Sequence, residues 1–126
     1  MAEVTVHEYL GSEFFYELAE KFYQHVALDP DLKALYPESD LKPAERRLAL
    51  FLIQYWGGPD TYSQERGHPR LRMRHQPYPI NHNMREKWLH CMMSALDELQ
   101  TIDPPYSMMK QYFEQAALAM VNTLED

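Results

Sequence analysis

The 126-residue sequence predicts an all-α domain of four main amphipathic helices, two early and two late, joined across an irregular basic loop. Apolar residues recur at helical spacing in four blocks. Proline and glycine divide those blocks, and nothing between them reads as a strand ladder. No repeat, low-complexity stretch or linker interrupts the chain, so residues 1–126 read as a single domain.

The first block spans about residues 13–27, with Ser12 as its expected N-cap after Gly11. Phe15, Leu18, Ala19, Phe22 and Val26 form its buried stripe, with Tyr23 at the edge. Asp29 then caps a short turn that opens on Pro30, carries Leu32, Leu35 and Tyr36, and ends at Pro37. The second block spans about residues 43–56, with Ala44, Leu48, Phe51, Leu52 and Tyr55 inward, and Gly57-Gly58-Pro59 stops it. Residues 59–70 follow as the longest irregular stretch, and loops of that length in a small domain are usually functional. A single helical turn over residues 71–75 closes it, and Pro77 and Pro79 forbid extension. The third block spans about residues 84–99, capped near His82 or Asn83, with Trp88, Cys91, Met92, Ala95 and Leu99 on one side. The fourth spans about residues 106–124 after Asp103-Pro104-Pro105, with Met109, Tyr112, Phe113, Ala116 and Met120 inward.

Composition narrows the function classes. Nineteen acidic against twelve basic residues give a formal charge of −7, which argues against a nucleic-acid binder or a polybasic membrane anchor. No apolar run approaches the roughly 18 residues of a membrane span, and the first eight residues have no basic flank or apolar signal core. A single cysteine, Cys91, suits a reducing cytoplasm. Aromatics reach 13 %, with nine tyrosines, eight methionines and only four glycines, an excess that asks for an explanation.

Four groups of residues could carry chemistry. His68, His75 and His82 are spaced by seven, but the intervening prolines keep them off one helix face, and no carboxylate or thiolate completes a zinc pattern. His7, His25 and His90 fall on polar faces. His75 ends the turn Leu71-Arg72-Met73-Arg74-His75, where one ring nitrogen can face a metal while the other donates to a carbonyl one turn back; a surface histidine is the plainer alternative. Arg66, Arg70, Arg72 and Arg74 suit a carboxylate or phosphate, although such runs are usually solvated. Tyr23, Tyr36 and Trp88 each carry a polar donor on an aromatic body on or beside an apolar stripe, which suits either core filling or convergence on one polar object. Cys91 sits mid-helix on an apolar face, as an inert thiol would.

The segment Gln54-Tyr55-Trp56-Gly57-Gly58-Pro59, then Tyr62, then Gly67-His68-Pro69-Arg70-Leu71-Arg72-Met73-Arg74-His75, resembles the truncated haemoglobins, and more narrowly their second group in its actinobacterial form. Phe22-Tyr23, Leu35-Tyr36-Pro37, Arg47-Leu48, Trp88-Leu89 and Met120-Val121-Asn122 extend the likeness over nearly the whole chain. One departure is visible: Leu10-Gly11-Ser12 stands where the family usually has a Gly-Gly hinge. The resemblance implies a truncated globin fold, a two-over-two helical sandwich around haem b. It makes His75 the proximal iron ligand, through a neutral imidazole. It assigns Tyr23, Tyr36 and Trp88 to the distal ligand site, with Ala44 where longer globins often carry histidine and Leu48 covering the ligand. Arg47, Tyr55 and Tyr62 match propionate partners, with Arg74 and His68 beside them, and Leu48 and Leu71 match apolar haem contacts.

What the resemblance implies functionally is reversible binding of O2, and of NO or CO, with tight and slowly released O2. The alternative is a redox enzyme, an NO dioxygenase or a peroxidase-like protein, which would need an external electron-donating reductase. A haem-free helical interaction module is a third reading, and pairing with a second copy is left open.

Overall fold

The computed structural model describes residues 4–37, 39–75 and 78–122, and among them every regular element is a helix. The expected end of the last helix at Leu124 and the break at Pro77 lie outside the described residues, as does the side chain of Arg72. The elements are α1 (Val6–Leu10), α2 (Ser12–Ala27), α3 (Pro30–Lys33), α4 (Lys42–Tyr55), α5 (Thr61–Arg66), α6 (Leu71–His75), α7 (His82–Glu98) and α8 (Pro105–Met120).

The four long helices carry the architecture. Helix α2 packs against both α4 and α7, and α7 packs against α8, so an early pair lies against a late pair. This is the two-over-two sandwich the resemblance implies. Phe15, Leu18, Phe22 and Val26 of α2, Leu52 of α4, Met92 and Leu96 of α7 and Met109 of α8 are fully buried where the helices meet. Burial of such stripes, more than intrinsic propensity, stabilises helices of this length.

Local chemistry sets the helix ends. Asp29 Oδ1 accepts from Leu32 N at 3.2 Å, with Pro30 in the first turn where its missing N–H is harmless. Asn81 Oδ1 accepts from Met84 N at 2.8 Å, so α7 starts two residues before the expected 84, with Asn81 rather than His82 or Asn83 as its cap. Ser12 is not the cap of α2. Gly11 holds that position at φ 82°, a left-handed conformation that glycine tolerates, and Ser12 is the first helical residue. One glycine thus turns the chain between α1 and α2.

Two short helices escape the periodicity. Helix α1 is five residues long and docks on the end of α4, where His7 N donates to Trp56 O at 2.9 Å. A side chain at Gly57, φ 105°, would come within 2.6 Å of Thr5 Cβ, so only glycine lets α1 sit there. His7 is half-buried rather than on the surface, with Nε2 2.7 Å from Ser12 Oγ and its ring stacked on Phe15. Helix α5 occupies part of the stretch expected to be irregular. Its sequence TYSQER has Tyr62 as its one buried anchor, too little to register as a stripe. Gln54 braces α5 against α4, donating from Nε2 to Ser63 Oγ at 2.7 Å and accepting from Ser63 N at 2.9 Å. Arg46 adds a two-pronged ion pair with Glu65 at 2.7 and 2.8 Å.

Candidate cofactor site

Several stripe residues are not fully buried: Tyr36, Leu48, Trp88, Tyr112, Ala116 and Met120. All six line one cavity of about 560 Å³ enclosed by the helices. That volume falls within the range of about 300–1,000 Å³ typical of cofactor and small-molecule sites. Its walls are mostly aliphatic and aromatic, with a few polar and cationic side chains among them.

One polar group is His75, the last residue of α6. It lines the cavity and is itself exposed. Its Nδ1 lies 2.7 Å from the main-chain oxygen of Leu71. A carbonyl oxygen only accepts, so Nδ1 carries the proton and Nε2 of the neutral ring keeps its lone pair. The turn is braced from its upstream side by Arg74, which donates from Nε to Pro69 O at 2.7 Å and from Nη2 to Arg66 O at 2.8 Å. Arg70, which opens the turn, holds φ 46°, an uncommon conformation for a side-chain-bearing residue, and its N–H donates to His68 Nδ1 at 3.2 Å.

Tyr23 and Tyr36 form a second polar group. Tyr23 comes from α2 and Tyr36 from the turn after α3, and their rings meet at 5.5 Å and 75°. Burial pushes the Tyr23 phenol well above its ordinary value, and the facing Tyr36 adds to the rise. Burial also raises Tyr36. Both are therefore neutral O–H groups at neutral pH. Trp88 of α7 belongs to the same wall, joined to Tyr23 through Phe22 by ring contacts of 4.9 and 5.3 Å. Ala44, Leu48 and Leu71 are further lining residues.

The third group is cationic. Arg47, Arg66, Arg74 and Arg85 line the cavity. Arg74 is committed to the backbone carbonyls described above. Arg85 Nε is buried and has no hydrogen-bond partner, although Nη1 pairs with Glu86. An orphaned buried donor on a cavity wall calls for an acceptor from outside the chain. The residues present therefore fit a flat apolar cofactor with carboxylate substituents.

The expected site residues do not all converge. Tyr62 lines the cavity and is buried, with its ring against Phe51. Tyr55 does not line it: half exposed, it packs on Tyr112 with ring centroids 4.1 Å apart. It shares a helix face with Leu48 but lies about 10 Å further along the axis. His68 is also outside the lining and accepts from the backbone of its own loop. Sequence reasoning missed Arg85, Met84, Tyr78 and Ile80, which also face the cavity. Arg85 is one residue after Met84 in the first turns of α7, three before Trp88, a spacing that could have revealed it. Among the described residues no cluster of three His, Cys, Asp or Glu side chains could hold a metal ion, and no helix is long and apolar enough to cross a membrane.

Comparisons with known proteins agree with this geometry. The family profile described as bacterial-like globin matches residues 5–122. The group 2 truncated hemoglobin YjbI of Bacillus subtilis is 40 % identical over 119 residues, 94 % of this chain and 89 % of its own. A thermostable hemoglobin from the actinobacterium Thermobifida fusca is 52 % identical with a TM-score of 0.93, covering 96 % of this chain and 99 % of that one. A truncated oxygen-avid haemoglobin from Bacillus subtilis is 39 % identical with a TM-score of 0.90, over 94 % and 99 % of the two chains.

Proposed function

Since the chain belongs to the bacterial-like globin family, among its group 2 truncated haemoglobins, we propose that it would hold haem b through His75 and bind O2 tightly there, releasing it slowly. NO and CO are ligands of the same site. The observation that supports this function best is the hydrogen bond from His75 Nδ1 to Leu71 O, which in the neutral ring leaves Nε2, on a residue that lines the cavity, with the lone pair a metal would take.

Each side of the cavity has its own task. Leu48, Leu71, Phe51 and Tyr112 supply apolar surface for a porphyrin and exclude water from it. Arg47 and Arg85 supply guanidinium donors for the propionates, and the unpartnered Arg85 Nε favours such an acceptor. When bound, the haem supplies a ferrous iron that coordinates diatomic ligands and places partial negative charge on them. Tyr23, Tyr36 and Trp88 carry the O–H and N–H donors for a ligand in the distal space, and burial keeps both phenols protonated. Ala44 donates nothing, so the polar work falls to those three. The Bacillus subtilis relative described as oxygen-avid supports the expectation of tight binding.

Visible spectra of the purified protein in ferric, ferrous and CO-bound forms test the proposal, repeated on His75→Ala. The wild type is expected to show a haem spectrum with a histidine-ligated ferrous form, and His75→Ala to lose that signature. A colourless protein after haem reconstitution, or a variant with the wild-type ferrous spectrum, rejects it.

A further inference from the structure

We propose that Asn122 is a positioning residue for His75, holding the backbone that carries the imidazole, an inference that rests on His75 being the iron ligand. Helix α8 ends at Met120, and Val121 takes an extended conformation at φ −61° and ψ 124°. Among the described residues, Asn122 then makes four hydrogen bonds to the end of α6 and the chain beyond it. Its main-chain N–H donates to Ile80 O at 2.9 Å, and its Oδ1 accepts from Ile80 N at 2.8 Å. Its Nδ2 donates to Tyr78 O at 2.8 Å and to His75 O at 3.3 Å. The side-chain amide is thus matched atom by atom: the oxygen faces an N–H and the nitrogen faces two carbonyls. Flipping the amide would set donor against donor and acceptor against acceptors, so the orientation is fixed by its partners.

The placement makes this more than a helix end. Helix α6 is five residues long, far too short to persist without tertiary anchors. Arg74 anchors it upstream, through Pro69 O and Arg66 O. Downstream, Tyr78 N donates to His75 O at 3.0 Å, and Asn122 grips both of those residues. His75 is therefore fixed twice: Leu71 O sets the ring's tautomer and rotation, and Asn122 sets where the turn stands relative to α8. Ala116 and Met120 of α8 line the same cavity, so Asn122 ties the backbone of the ligand to the wall the porphyrin would touch.

Asn122→Ala and Asn122→Asp test this. Aspartate keeps an acceptor for Ile80 N and has no N–H for the carbonyls of His75 and Tyr78. In the haem-free chain, amide exchange at Ile80 is expected to quicken about tenfold or more in Asn122→Ala and to stay near wild type in Asn122→Asp. In the haem-loaded protein, the iron–imidazole stretching band of the ferrous form is expected to shift or broaden in both variants. Haem transfer to an excess acceptor protein is expected to run several-fold faster in both. A purely structural role would lower thermal stability and leave the band in place. Wild-type band and transfer rate in both variants overturn the proposal, and if Asn122→Ala does not fold, Asn122→Asp decides alone. A His75→Ala variant that keeps the wild-type band sinks the ligand assignment, whereas unchanged Asn122 variants beside an altered His75→Ala sink the Asn122 role only.

Discussion

The ring of Tyr23 meets that of Tyr36 edge to face, centroids 5.5 Å apart, so one cavity wall carries two phenols from different elements. Each is buried enough to remain protonated, and the hydrogen bond between them, which raises Tyr23 and lowers Tyr36, has Tyr23 donating and leaves the Tyr36 O–H available for a charged ligand atom. A hydrogen bond to a charged acceptor contributes about 1.5–3 kcal/mol. Removing one should therefore speed O2 release by roughly ten- to a hundredfold. Stopped-flow O2 dissociation from Tyr23→Phe, Tyr36→Phe and Trp88→Phe measures it. Equal rates in all three and the wild type would mean that none of them holds the ligand.

The same pair sets an alkaline limit on stability. Both phenols titrate above their unfolded value of about 10, chiefly because burial disfavours the phenolate. Below that pH neither state ionises, and the contribution is fully present. Above it the unfolded chain loses protons that the folded chain keeps, so stability falls as pH rises towards the folded values. Denaturant unfolding across this range should show the decline, and Tyr23→Phe should flatten it. An unfolding free energy as steep in Tyr23→Phe as in the wild type would assign the decline to other groups.

Leu96 is fully buried and lies outside the cavity lining. Leu96→Ala is expected to lower stability by about 2–5 kcal/mol, with a melting temperature several degrees lower or more, and to leave the haem spectrum as it is. A spectrum that changed with it would mean that core and cavity are not separable.

Cys91 is buried on the inner face of α7, and burial raises its thiol to about 11. The thiolate at neutral pH is then about a hundredfold scarcer than for an ordinary thiol. Native protein should react far more slowly with a thiol reagent than urea-unfolded protein, as absorbance titration will show. Equal rates would place the sulfur at the surface.

Much of this was legible in the chain, for identifiable reasons. The four long helices announced themselves because each buries a continuous stripe, and the stripe positions left half-open, Leu48, Trp88, Tyr112 and Met120, turned out to be the cavity's wall. His75 was marked out by the resemblance and not by spacing, because a histidine closing one short turn reads as readily as a surface residue. Periodicity was blind to α1 and α5, where anchoring comes from backbone bonds to Trp56 O and from Gln54 rather than from repeated apolar contacts. It read Tyr55 as inward although that ring is half exposed, because a helical wheel reports direction and not distance along the axis. Arg85 stands three residues before Trp88, a spacing that places it on the same face, but nothing in the chain marks that folding leaves its Nε without a partner.

That nitrogen gives two effects of opposite sign. In the haem-free chain, Arg85 Nε is a buried donor with nothing to bond, which is unfavourable by about 1–3 kcal/mol. A methionine at the position keeps much of the side-chain volume and removes the donor. Arg85→Met should thus leave the haem-free protein as stable as the wild type or more so, while the holoprotein loses a propionate partner and releases haem faster. The ion pair with Glu86 lies at an exposed carboxylate and offsets little. Thermal unfolding of the haem-free forms and haem transfer from the loaded forms separate the two effects. If the variant instead weakens the haem-free chain and holds haem as firmly as before, Arg85 serves the fold, and the propionate role passes to Arg47.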